Sequence, residues 1–120
     1  MLAYKLFGSG LNTLTVASIT DVATGLTAAG TNETNAYEVT FAKNSFTTVA
    51  AGTGAILDSD SAPGDTQMIY NGGANALSVY PTSGAQINAL GANEPMLLPI
   101  KTACEFYKLT TTLWTGILSR

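Results

Sequence analysis

The residues able to do chemistry are few. The 120-residue chain has no histidine and a single cysteine, Cys104. The lack of histidine removes the commonest general base, the usual metal ligand and every histidine-dependent triad. Without an imidazole to draw off its proton, Cys104 has no route to a papain-like thiol mechanism, and it has no second cysteine for an intrachain bridge. Its expected place is on a strand, as a small buried hydrophobe. Zinc sites built from Cys and His are absent for the same reason.

Carboxylates are the remaining option. Asp58, Asp60 and Asp65 form the one cluster, in the loop Asp58-Ser59-Asp60-Ser61-Ala62-Pro63-Gly64-Asp65. Asp in such a setting bonds its own backbone and forms turns, which is the favoured reading. The alternation Asp58-Ser59-Asp60-Ser61 also resembles the oxygen ligands of a calcium loop, although the EF-hand glycine and terminal glutamate are missing. A catalytic carboxylate pair of the glycosidase kind is the third reading. Gly52-Thr53-Gly54 is too short for a dinucleotide fingerprint and no helix-forming segment follows it. Tyr70, Tyr80, Phe106, Tyr107 and Trp114 would suit a sugar-stacking platform, but packing in a core or subunit interface is favoured. No catalytic, cofactor-binding or metal-binding residue is assigned, no cofactor is implied, and the chain is not expected to be an enzyme.

Bulk properties narrow the partners. Charged residues make up 11% of the chain and hydrophobic residues 46%, with a net charge of −3. Soluble domains usually carry about a quarter charged residues. The five Lys and Arg are scattered, so nothing is laid out to neutralise phosphates, and no nucleic-acid partner is expected. No apolar run approaches the ~20 residues of a spanning helix. The start, Met1 to Gly8, lacks the long apolar stretch of a signal peptide. A protein made in a cytoplasm is expected, with no membrane partner.

The elements that would position these groups read as strands. Tyr37, Val39 and Phe41 alternate and are expected on one face. Phe46 to Val49 and Ala55 to Leu57 follow, separated by Ala51-Gly52-Thr53-Gly54. Thr66 to Tyr70 and Ala76 to Tyr80 flank Asn71-Gly72-Gly73-Ala74-Asn75, which predicts a hairpin pairing the Tyr70 and Val79 strands across Gly72-Gly73. Pro81 should end its strand or place it at an edge. A further unit runs through Gly84, Ile87 and Leu90 to Gly91-Ala92-Asn93, and Met96-Leu97-Leu98 is bracketed by Pro95 and Pro99. Thr102 to Leu109 and Leu113 to Leu118 form the last pair, joined by Thr110-Thr111-Thr112. Glycine turns near Gly52, Gly72 and Gly91 recur about every 20 residues. Hairpin spacing is favoured over a true repeat, because the intervening residues do not match. The predicted fold is all-β: a single-domain antiparallel β-sandwich, jelly-roll-like or barrel-like, over residues 21–120 with an N-terminal arm or edge segment over residues 1–20.

Residues from about Ala50 to Trp114 resemble a group of small structural proteins of tailed bacteriophages. The pattern begins at Thr47-Thr48-Val49-Ala50-Ala51-Gly52-Thr53-Gly54 and continues through Pro63-Gly64-Asp65 and Asn71-Gly72-Gly73-Ala74-Asn75-Ala76-Leu77. Val79-Tyr80-Pro81-Thr82-Ser83-Gly84-Ala85-Gln86-Ile87-Asn88 and Leu90-Gly91-Ala92-Asn93 follow. It closes with Phe106 and Thr112-Leu113-Trp114, and Thr24 to Thr31 is a weaker part of it. Lys101-Thr102-Ala103 stands where the pattern leads one to expect a glycine-containing turn. The resemblance implies a virion component of β-sandwich type, a capsid decoration or cement protein on the capsid surface. Its partners would be the major capsid protein and itself, as a homo-oligomer with a trimer as the expected state. The competing reading is a tail-fibre or baseplate module that binds host-surface glycans.

The N-terminal arm is unusually apolar. Leu2, Tyr4, Leu6 and Phe7 stand within its first residues, and each costs free energy when exposed to water. They are the candidate partner-binding residues, suited to adding a strand to a neighbour's edge. A first strand of the chain's own sandwich is the equal alternative.

Overall fold

The computed structural model describes residues 21–119, and every regular element among them is a strand. These are β1 (Val22–Thr27), β2 (Tyr37–Glu38), β3 (Lys43–Thr48), β4 (Gly54–Ile56), β5 (Thr66–Asn71), β6 (Leu77–Tyr80), β7 (Gln86–Ile87), β8 (Met96–Leu98), β9 (Thr102–Thr110) and β10 (Leu113–Leu118). They form a six-stranded sheet ordered β1-β3-β5-β9-β10-β7 and a four-stranded sheet ordered β2-β4-β6-β8.

The all-β expectation holds, but the antiparallel sandwich, jelly-roll-like or barrel-like, does not. β1, β3 and β5 run parallel in the first sheet, and β2, β4 and β6 run parallel in the second. The chain therefore winds as a β-solenoid of three coils, each giving one strand to each sheet. A coil takes 21 residues from Val22 to its register partner Lys43, and 25 from Lys43 to Met68. The direction follows from the connections. After each strand of the large sheet the chain crosses to the small sheet and returns by a loop, so successive strands of one sheet point the same way.

The predicted hairpin across Gly72-Gly73 is one of these crossings. β5 lies between β3 and β9, and β6 lies in the other sheet between β4 and β8. A two-residue hairpin turn of the common type needs positive φ at both central residues, and neither Gly72 nor Gly73 has it. Glycine is required here by close approach. A Cβ on Gly73 would lie 2.7 Å from Val49 Cβ and 2.8 Å from the Val49 nitrogen, and one on Gly72 would lie 3.0 Å from the Phe46 carbonyl oxygen. The roughly 20-residue recurrence of glycine thus marks the corners of a coil, the signature of a solenoid. Gly52, Gly72 and Gly91 each sit where the chain passes from the large sheet to the small one.

At the far end the chain reverses. β8 pairs antiparallel with β6, and β9 antiparallel with β5. β9 and β10 form the hairpin expected of Thr102 to Leu118, with Trp114 opposite Lys108 and Gly116 opposite Phe106. At the other end β1 is the outermost strand of the large sheet among the described residues, and its register with β3 shifts between Ala23 and Leu26. Bulged and short edge strands resist unwanted pairing.

One core lies between the sheets. Phe46, Ile69, Phe106 and Trp114 from the large sheet meet Ala55, Leu77, Val79 and Leu98 from the small one. The expected common face of Tyr37, Val39 and Phe41 is not formed. β2 ends at Glu38, the chain turns the corner, and Val39 is buried while Tyr37 and Phe41 are exposed. β6 ends at Tyr80, immediately before Pro81, as its missing donor requires.

Candidate functional site

The carboxylate loop gathers at a corner where the chain returns from the small sheet to the large one. A cavity of about 390 Å³ opens there, lined by residues that include Asp21, Phe41, Asp58, Asp65 and Gln67. Asp58 and Asp65 act on their own loop. The Asp60 N–H donates to Asp58 Oδ1 at 2.9 Å, and the Ala62 N–H to Asp65 Oδ2 at 2.8 Å. Asp21 Oδ2 accepts the Ala42 N–H at 2.9 Å. The Asp58 and Asp65 contacts are the local side-chain-to-backbone turns that Asp favours, whereas Asp21 ties two coils together. Among the described residues no three Asp, Glu or Cys side chains come together in a way that would hold a metal ion. The Ser59 hydroxyl donates to Glu38 Oε2 at 2.7 Å, and the Ser59 N–H donates to the same oxygen. This contact ties the loop to the end of β2.

Buried polar side chains bind the loop to the sheets. On β5, Gln67 Nε2 donates to the carbonyls of Val39 and Phe41, and its Oε1 accepts the Asp58 N–H at 2.9 Å. On β9, Lys108 is buried. Its Nζ donates to the Ser61 carbonyl at 3.1 Å and lies 5.5 Å from the centre of the Trp114 ring. A desolvated ammonium over an indole face is attracted by the ring quadrupole. The Lys108 backbone holds the loop as well, since its carbonyl accepts the Gly64 N–H at 2.7 Å and its N–H donates to the Asp65 carbonyl at 2.9 Å. Asn71 does the same at the next corner. It accepts the Gly73 N–H and donates to the carbonyls of Asn75 and Leu98. Asn44 donates to the carbonyls of Phe41 and Met68, while its buried Oδ1 has no partner among the described residues.

The sequence carries one signal for these interior polar groups. Lys108 is in phase with Cys104 and Phe106, and Gln67 and Asn71 are in phase with Ile69, so period-two alternation already aims them inward. Their polarity hid them, because a coil corner that buries backbone groups needs side-chain partners that an ordinary strand does not.

The stacking platform does not assemble. Phe106, Trp114 and Tyr80 are buried, with the Tyr80 hydroxyl donating to the Thr31 carbonyl and the Trp114 indole N–H donating to Thr82 Oγ1. Tyr70 and Tyr107 are half-buried on strands of the large sheet. Cys104 is fully enclosed, and burial pushes its thiol up to about 12, away from the reactive thiolate. Leu2, Tyr4, Leu6 and Phe7, the arm residues, lie outside the described residues.

No family model, curated protein or solved structure matches the chain.

Proposed function

We propose that the chain is a structural subunit of a bacteriophage particle, a decoration or cement protein that oligomerises on the outer capsid surface. There it binds adjacent subunits of the major capsid protein. A protein that binds only the assembled shell lowers the free energy of that state by mass action. Two things support the reading: the resemblance of Ala50 to Trp114 to phage structural proteins, and the distribution of side chains. The observation that carries it is the set of large apolar residues left on the outside. Leu97, Ile117 and Leu109 are 60%, 58% and 53% exposed, and Ile100 and Val22 are nearly half exposed. Exposed apolar surface of this kind suits contact with other chains. Asp58 and Asp65 of the candidate loop, by contrast, are engaged with their own backbone. The glycan-binding tail module has less support, since three of its five candidate rings lie in the core.

The test is to add the purified protein to expanded, undecorated capsids of a phage that encodes it. Added density at regular positions on the shell, with a raised temperature of capsid disruption, is the expected result. Density confined to the tail, or none at all, overturns the proposal.

A further inference from the structure

Five side chains cross the outer face of the large sheet in one row. Val22 on β1 is in register with Lys43 on β3, Lys43 with Met68 on β5, Met68 with Glu105 on β9, and Glu105 with Ile117 on β10. Asn44, Gln67, Ile69, Cys104 and Phe106, the strand neighbours of Lys43, Met68 and Glu105, are buried, and Val22 and Ile117 at the two ends are themselves exposed, so the row faces away from the core. With strands about 4.8 Å apart, the row is about 19 Å long.

The order along the row is apolar, cationic, apolar, anionic, apolar. Read from the other end it is the same, with the charges exchanged about Met68. A two-fold axis parallel to β5, lying between two facing copies, turns such a row onto itself in reverse. Val22 then meets Ile117 of the second copy, Lys43 meets Glu105, and Met68 meets Met68. Both charged positions find an opposite charge, and both exposed aliphatic ends are covered. Face-to-face sheets pack readily at small angles to one another, and a two-fold contact must be self-complementary in this way. Glu105 is already oriented, because the Tyr107 hydroxyl donates to its Oε1. Lys43 and Glu105 stand about 10 Å apart across β5 within one copy.

We infer that the outer face of the large sheet binds a second copy of this chain, in a two-fold contact centred on Met68 with Lys43 and Glu105 exchanged between copies. The contact shares Val22 and Ile117 with the exposed apolar set above, but it concerns the chain alone in solution and is tested without capsids.

The experiment is sedimentation of the purified chain at tens of micromolar, with charge-reversal variants. The wild type should have twice the 12.4 kDa chain mass. Lys43→Glu and Glu105→Lys should each weaken the dimer by about tenfold or more, and the double variant should restore it. Met68→Cys should yield a disulfide-linked dimer on mild oxidation, because the two copies of that position meet on the axis. The crosslink also serves as the test if a charge variant fails to fold. A monomeric or trimeric wild type overturns the inference. So does a dimer indifferent to both reversals, or a double variant no stronger than the singles.

Discussion

The side-chain amide of Asn88 pairs with both main-chain polar groups of Gly116. The Gly116 N–H donates to Asn88 Oδ1 at 3.0 Å, and Asn88 Nδ2 donates to the Gly116 carbonyl at 3.3 Å. The short strand β7 pairs with β10 at only two positions, Gln86 with Leu113 and Ile87 with Trp114. Asn88 extends that ladder by one step with its side chain, while its own backbone turns away at φ 53°. Asparagine tolerates the left-handed region better than most residues.

Asn88 Oδ1 also accepts the Thr115 hydroxyl at 2.9 Å, so replacing Asn88 with Ala should cost about 2 kcal/mol or more, from three lost hydrogen bonds and a strained φ. Asn88→Gly removes the strain and keeps the loss of the bonds, so it should fall between wild type and Asn88→Ala. Denaturant titrations showing lower midpoints at an unchanged slope would establish the order. Equal midpoints for all three proteins would show that the pairing contributes nothing.

Two corner glycines should respond unequally to alanine. At Gly73 the new Cβ would sit 2.7 Å from Val49 Cβ, with the Val49 nitrogen beside it, whereas at Gly91 it would meet only Glu94 Cγ at 3.3 Å. Gly73→Ala should destabilise by about 1–3 kcal/mol or more as the corner is forced apart. Gly91→Ala should change stability by well under 1 kcal/mol, because the end of a flexible side chain moves aside. Thermal unfolding of the two variants in parallel tests the difference.

Lys101 occupies the left-handed region at φ 61°, in the turn where the sequence pattern leads one to expect glycine, and its N–H donates to the Asn71 carbonyl at 2.7 Å. Glycine retains that N–H and loses the Cβ penalty of about 1–2 kcal/mol, offset in part by its freer unfolded chain. Lys101→Gly should raise the melting temperature by a few degrees. A fall in Tm would mean that the lysine side chain contributes more than its backbone costs.

Cys104 makes stability depend on alkaline pH. Burial raises its thiol from the usual 9 to about 12 in the folded chain. Below pH 9 the thiol is protonated in both states and its contribution is fully present. Above that the unfolded chain loses the proton first, so stability declines between about pH 9 and pH 12. Tyr107 shifts in the same direction, through its hydrogen bond to Glu105 and the repulsion of that carboxylate. The measurement is thus a comparison of wild type with Cys104→Ala from pH 8 to pH 11. The variant should show the shallower decline, and identical slopes would refute a buried-thiol contribution.

Much of the local structure could be read from residue order. Alternation and turn residues placed strands at Thr66 to Tyr70, Met96 to Leu98 and Thr102 to Leu118. The turn chemistry of Asp58 and Asp65 is equally local, each carboxylate accepting a backbone N–H two or three residues away. The partners of those strands could not be read the same way. Asn71-Gly72-Gly73 looks the same in sequence whether its glycines supply positive φ to a hairpin or clearance for a neighbouring coil. The distinction lies with Val49 and Phe46, more than twenty residues away. The Tyr37 to Phe41 pattern failed for a related reason, because a strand that stops at Glu38 to turn a corner no longer alternates beyond it.

The sequence by itself determined that the described residues are built of strands, that the chain contains no histidine chemistry, and where several of its turns fall. These are properties of single residues and their immediate neighbours. Tertiary structure alone decided that successive strands run parallel in two sheets and that Val22, Lys43, Met68, Glu105 and Ile117 share one row. Period-two alternation tells which side chains share a face of a strand. Which strand lies alongside is settled by burial and backbone pairing summed over the whole coil, between residues that local order does not connect.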